Sequence, residues 1–210
     1  MDNGKVYAYI EELYGKKKLT QQQYSESTEL ENYGQPVDDD VARMLQIIIM
    51  AAKPQKVLEI GTSIGFSTVM MAEAMKHYGG KIVTVEFDGR AAEQAVANFE
   101  RRGLKEQIEV VVGDARVVVA AMDQEFDLIF QDVGDKELYA ELLDSCLRLL
   151  KPGGLLIAED VLYPAFDLDD PDCLQMCEPL QAFNKAVVEC PRFESTLLPI
   201  GDGLMVAVKK

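Results

Sequence analysis

Acidic residues recur where apolar, β-branched runs stop. Glu59 lies in Val57-Leu58-Glu59-Ile60, Glu86 ends Ile82-Val83-Thr84-Val85-Glu86, and Asp114 follows the run at 108–112. Asp132 follows Phe126-Asp127-Leu128-Ile129-Phe130-Gln131, and Glu159-Asp160 close the run near 155–161. Such runs read as buried strands, and ligands of open α/β sheets sit beyond the carboxyl ends of the strands. One acid there is a helix cap or a solvated turn. Five successive strands that each deliver an acid to the same edge describe a site. Glu59, Glu86 and Asp114 suit an adenosine-type ligand bearing an amino group. Glu86, roughly 20 residues beyond a glycine-rich turn, is spaced to accept ribose hydroxyls, and Asp114 to meet an adenine edge. Asp132, Glu159 and Asp160 form an all-oxygen set of the kind that takes a hard cation such as Mg²⁺.

The turn is Gly61-Thr62-Ser63-Ile64-Gly65, between an apolar run and the helical pattern from Phe66. Gly61 and Gly65 permit a tight turn and close approach to a ligand, and the helix start behind them offers unpaired N–H groups. The spacing is E-x-G-x-x-x-G, not the G-x-G-x-x-G of dinucleotide binders. No Ser/His/Asp or Cys/His arrangement has the parts it needs; His77, the only histidine, precedes Tyr78-Gly79-Gly80 and reads as a surface or capping residue.

These residues need a framework. Strands are expected at 56–60, 81–86, 108–112, 126–131, 155–161, 193–199 and 203–208, and helices at 66–78, 90–102, 114–122, 136–150 and 174–189. The first 30 residues read as one or two polar helices. Asp38-Asp39-Asp40 caps a helix that Pro54 ends, and Lys151-Pro152-Gly153-Gly154 reads as a helix stop and turn. Helical crossovers imply a parallel sheet, and the short Ile200-Gly201-Asp202-Gly203 link implies a closing antiparallel hairpin. The fold class is α/β: a Rossmann-like, seven-stranded, mostly parallel sheet with an antiparallel last strand and helices on both faces.

The 210 residues, 48% hydrophobic, are read as one domain. No apolar run of about 18 residues suggests a membrane span, and the first residues hold no apolar signal core. Cys146, Cys173, Cys177 and Cys190 complete no zinc pattern and read as reduced thiols, so a cytoplasmic location is expected. The net charge of −15 disfavours nucleic acid as a partner. Lys16-Lys17-Lys18 is the only basic run.

From about Gln35 onward the chain resembles S-adenosylmethionine-dependent O-methyltransferases of the catechol and caffeoyl-CoA type, including small bacterial members. The resemblance rests on Leu58-Glu59-Ile60-Gly61-Thr62 with Gly65-Phe66-Ser67-Thr68, on the run before Asp132, on Lys136-Glu137-Leu138-Tyr139, on Leu149-Leu150-Lys151-Pro152-Gly153-Gly154, and on Leu198-Pro199-Ile200-Gly201-Asp202-Gly203-Leu204. It implies that Glu59, Gly61, Thr62 and Ser67 hold the methionine end of S-adenosylmethionine, with Gly65 in the same motif. Glu86 would take the ribose, Asp114 and Ala115 the adenine, and Val37 would lie over the cofactor. Asp132, Glu159 and Asp160 would bind a divalent cation, Mg²⁺ or Mn²⁺, and Lys136 falls on a lysine proposed as general base. A small hydroxylated aromatic is the implied acceptor. A homodimer is also implied, with residues 1–35 as a helical lid or dimerisation segment.

Three departures from the family stand out. Lys136 lies four positions after Asp132 rather than three; either Gly134 absorbs the extra residue as a bulge, or Lys136 points elsewhere as a solvated first-turn lysine. Glu159-Asp160 replaces the usual Asp-Asn. The segment from Leu162 through the acidic Asp167-Leu168-Asp169-Asp170-Pro171-Asp172 is its own. Two other readings stay open: a methyltransferase for hydroxylated uridine in tRNA, which the charge opposes, and a non-catalytic cofactor-binding protein with an altered metal site.

Overall fold

The computed structural model describes residues 3–14, 19–162 and 171–210. Helices α1 (Asn3–Tyr14), α2 (Gln21–Ser25) and α3 (Asp39–Ala52) come first. The chain then runs β1 (Lys56–Ile60), α4 (Phe66–Met75), β2 (Lys81–Glu86), α5 (Gly89–Arg101), β3 (Ile108–Val112), α6 (Ala115–Ala121) and β4 (Phe126–Gln131). It continues with α7 (Glu137–Glu141), α8 (Leu143–Leu149), β5 (Leu150–Ala158), α9 (Pro171–Glu189), β6 (Phe193–Leu198) and β7 (Leu204–Lys209).

The strand order is β3-β2-β1-β4-β5-β7-β6. Pairing is parallel from β3 across to β5, and β7 runs antiparallel to both β5 and β6. The expected sheet, with its antiparallel last strand, is the one observed. The order reverses between β1 and β4, which opens a crevice at their carboxyl ends.

Alternation along the strands sorts the core into two layers. Val57, Leu128, Phe130 and Ile157 pack with residues of α3, α4 and α5, while Leu58, Ile60, Ile129 and Leu156 pack with residues of α7, α8 and α9. Helix α4 is buried at every position but Glu73, as suits a helix that is apolar all round and packs against α3. Helix α2 starts with a capping box between Thr20 and Gln23. It is anchored by fully buried Tyr24, whose hydroxyl donates to the Ile64 carbonyl at 3.0 Å beneath the glycine turn.

Several expected boundaries shift. Lys151–Gly154 is not a turn between helix and strand but part of β5. Phe126 faces Leu150 and Leu128 faces Leu155, so the extra residues bulge out of the ladder, with Lys151 tied to Asp127 at 2.5 Å. The single helix expected at 136–150 breaks at Leu142 into α7 and α8. Helix α4 stops at Met75, and α9 begins at Pro171, so the end of the acidic segment is helical. Asp38 is the N-cap of α3, but its side chain makes no capping bond; instead Asp39 accepts from the Gln21 amide and Asp40 from the Gly201 amide. His77 is exposed, and Cys146, Cys177 and Cys190 are free thiols. Lys16-Lys17-Lys18 and residues 163–170 lie outside the described residues.

Candidate active site

A cavity of about 560 Å³ opens over the carboxyl ends of β1, β2, β3 and β4. Its walls include Gly61, Thr62, Ser67, Glu86, Asp114, Ala115, Asp132, Lys136 and Asp160. The volume lies within the range of roughly 300–1,000 Å³ common for small-molecule and cofactor pockets. A smaller cavity of about 140 Å³ adjoins it, sharing Gln35, Pro36 and Asp160, and adds Val37, Asp38, Glu159 and Asp202.

The glycine turn is shaped first by protein contacts. Gly61 has φ +98°, and a Cβ there would lie 1.7 Å from the Asp132 carbonyl oxygen. Two loop backbones therefore touch at the floor of the cavity. Gly65, the N-cap of α4, has φ +87°, and a Cβ would meet the Phe99 ring at 2.5 Å. Gly65 seats Phe99 and is not a cavity wall. The Glu86 carboxylate accepts from the amides of Thr62 (3.0 Å) and Ser63 (2.7 Å) through one oxygen and from Asp88 (2.9 Å) through the other. These bonds fix its orientation at the wall of the cavity.

Glu59 stands behind the wall. It is fully buried and accepts from Ser67 (2.6 Å), Thr68 (2.5 Å) and Thr84 (2.6 Å). Because Thr84 donates to Glu59, Thr62 is the donor in the 2.5 Å Thr62–Thr84 contact. Two cavity residues, Thr62 and Ser67, thus hang from one buried carboxylate. Burial pushes that carboxyl up to about 7, against the lowering effect of its three hydroxyl donors.

At the other end, Asp132, Glu159 and Asp160 each offer an oxygen within 4.8 Å of the others. No hydrogen bond from the described residues reaches the Asp132 carboxylate. Burial first, then Asp160, raises the Asp132 carboxyl; burial, a hydrogen bond with Asp160 and the charge of Asp132 raise Glu159 well above the usual range. Asp160 is also opposed by burial, yet the hydrogen bond from Glu159 and the Lys136 ammonium hold it below the usual range. Crowded hard oxygens whose mutual repulsion a cation relieves are a donor set suited to a divalent ion. Lys136 is 7% exposed and donates to Asp160 at 2.5 Å and to the Val133 carbonyl at 3.0 Å. The longer spacing therefore does not carry it away from the acids. Gly134 is exposed, with open space where a Cβ would stand, so the extra residue loops outward after β4 rather than forming a bulge within it.

The sequence profile of the O-methyltransferase family matches residues 10–210. The chain belongs to that family. Catechol O-methyltransferase of Niastella koreensis is 30% identical over 183 residues, covering 83% of this chain and 82% of the relative. Caffeoyl-CoA O-methyltransferase of Populus kitakamiensis is 27% identical, covering 81% and 77%. The O-methyltransferase of Bacillus cereus, solved in complex with SAH, superposes with a TM-score of 0.83 at 26% identity, covering 98% of this chain and 97% of that one. The chain is thus an enzyme of the S-adenosylmethionine-dependent O-methyltransferases of catechol and caffeoyl-CoA type.

In this O-methyltransferase the larger cavity gathers most of the residues singled out in the sequence. Val37 is buried and lines the smaller cavity with Glu159. Other wall residues carry no motif. Tyr33, Gly34, Gln35 and Pro36 cover the cavity, held by the Ser63 hydroxyl on the Gly34 carbonyl (2.5 Å) and the Gln21 amide on the Pro36 carbonyl (2.7 Å). Phe87, 78% exposed, stands at the rim directly after Glu86; an exposed aromatic next to a strand-end acid is the one signal that marks it. Arg116 spans the mouth, paired with Asp135 at 3.0 Å and Glu141 at 2.6 Å.

Proposed function

We propose that this enzyme methylates one oxygen of a vicinal diol on a small hydroxylated aromatic, using S-adenosylmethionine and a divalent cation, Mg²⁺ or Mn²⁺. The observation that carries this reading is the convergence of Asp132, Glu159 and Asp160, with Lys136 beside them, at one end of the cofactor-sized cavity. When bound, the cofactor supplies a methyl group on a sulfonium, and the cation supplies Lewis acidity toward two adjacent substrate oxygens.

The chain's own residues supply position. Glu86 accepts the ribose hydroxyls, and Asp114 and Ala115 flank the adenine. Thr62 and Ser67, held from behind by Glu59, bound the methionine end. Asp132, Glu159 and Asp160 would provide the cation's oxygen ligands, and Lys136 Nζ, once its ammonium has given one proton to solvent, is assigned to receive the hydroxyl proton. Tyr33–Pro36 and Val37 exclude water above the reacting groups, and alignment of donor and acceptor accounts for much of the acceleration.

Pairing of two copies is part of the same proposal. Helix α1 exposes Val6, Tyr9 and Leu13, and α3 exposes Ile47 and Met50; each set has the spacing of one helix face. Sedimentation of wild type against Tyr9→Glu/Leu13→Glu tests it, with a dimer lost in the variant as the expected result.

The reaction is tested by labelled-methyl transfer from S-adenosylmethionine to a panel of catechols and caffeoyl esters with Mg²⁺ or with EDTA. Turnover abolished by EDTA and by Asp132→Ala is expected. Turnover indifferent to both overturns the metal assignment and leaves the cofactor assignment standing.

A further inference from the structure

Lys136 is where a divalent cation would have a rival. Its ammonium lies 2.5 Å from Asp160 Oδ2, and Asp160 is one of three carboxylates that come within 4.8 Å of one another. An ammonium and a divalent cation drawn to the same carboxylate stand close enough for their repulsion to weigh heavily in a half-buried site. The lysine also has somewhere else to go. The Val133 carbonyl already accepts from Nζ at 3.0 Å, and the Tyr139 ring centre is 5.2 Å away. An ammonium that loses its carboxylate there keeps a hydrogen-bond acceptor and an aromatic face.

We infer that Lys136 and the divalent cation compete for Asp160, so that the lysine is the resident counter-ion of the cation-free site and loading the cation detaches it. This rests on the assignment of Asp132, Glu159 and Asp160 as the cation's ligands. Lys136 then acts in two ways: it lowers cation affinity, and it is released beside the acceptor only when the cation is present. The order of events follows, with the cation bound before the ammonium leaves Asp160.

A double-mutant cycle on Mn²⁺ affinity tests the inference without relying on turnover. Mn²⁺ binding to the full chain is followed by electron paramagnetic resonance for wild type, Lys136→Met, Asp160→Asn and the double variant. Asp160 has φ +62°, a conformation that asparagine tolerates, so Asp160→Asn preserves the backbone. Lys136→Gln repeats the lysine arm should Lys136→Met fold poorly. Competition predicts that Lys136→Met tightens Mn²⁺ binding by about tenfold or more when Asp160 is present and by about threefold or less in the Asp160→Asn background. Binding seen only once Lys136 is replaced supports the inference in its strongest form. An equal factor in both backgrounds overturns it, because simple repulsion through space does not need Asp160. Absence of Mn²⁺ binding from all four proteins overturns the cation assignment itself, and the competition with it.

Discussion

Glu59 joins β1 to β2 and α4 through a carboxylate with no exposed surface, and one of the three hydroxyls it holds, that of Ser67, belongs to a residue of the cavity wall. Its carboxyl titrates near 7 in the folded protein against 4.5 as the ordinary value. The folded state therefore binds this proton more tightly than the unfolded chain. The resulting stability is fully present below pH 4.5, declines as pH rises, and is lost above about 7. Urea denaturation across that window should show wild type losing on the order of 3 kcal/mol that Glu59→Gln does not lose. The position of Glu59 at a strand end was legible in the sequence, but its direction was not. Side chains alternate across a strand, and the partners that claim Glu59 come from Ser67, Thr68 and Thr84, on two other elements. Asp132, Glu159 and Asp160 were legible together because residues at the ends of paired neighbouring strands are brought together by the ladder itself.

Turns and loops divide into those under compression and those in open space. Gly65→Ala places a Cβ against the Phe99 ring at φ +87°, and a loss of about 2–4 kcal/mol is expected in chemical denaturation. Gly134→Ala meets nothing, and its stability should stay within about 0.5 kcal/mol of wild type. The elements themselves followed from periodicity and breakers, and β1 to β4 fall where the apolar runs are. The misplaced boundary at Lys151–Gly154 has a physical cause. Proline and glycine mark a departure from regular geometry, but whether that departure is a turn or a bulge depends on the neighbouring strand. Here Phe126 pairs with Leu150 and Asp127 holds Lys151, so the ladder resumes on both sides of the interruption. The cover over the cavity was largely invisible in sequence because Tyr33–Pro36 is irregular chain, held by single hydrogen bonds to distant residues.

The whole molecule carries a net charge of −15, and the smaller cavity concentrates that sign. Asp38, Glu159, Asp160 and Asp202 line it, and both Asp38 and Asp202 are raised by burial and by neighbouring carboxylates. Acceptors bearing phosphates meet this field as they approach. A neutral or ammonium-bearing catechol should therefore show a kcat/KM at least about tenfold above that of a coenzyme A thioester, with the gap narrowing as salt is added. A thioester preferred at low salt would count against an acidic acceptor wall. Composition made the sign of this field plain, while its focus at the smaller cavity needed the fold, which brings Asp38 and Asp202 together from opposite ends of the chain. The contact of Gly61 with the Asp132 backbone has a consequence for how such an enzyme diversifies. With the strand-end turn and the acid-bearing loop locked against each other, the donor and acceptor halves of the proposed reaction keep a fixed alignment. Gln35 and Asp202, which line the smaller cavity without entering that lock, are the places where the substrate range of the proposed reaction can be redesigned while its chemistry is inherited intact.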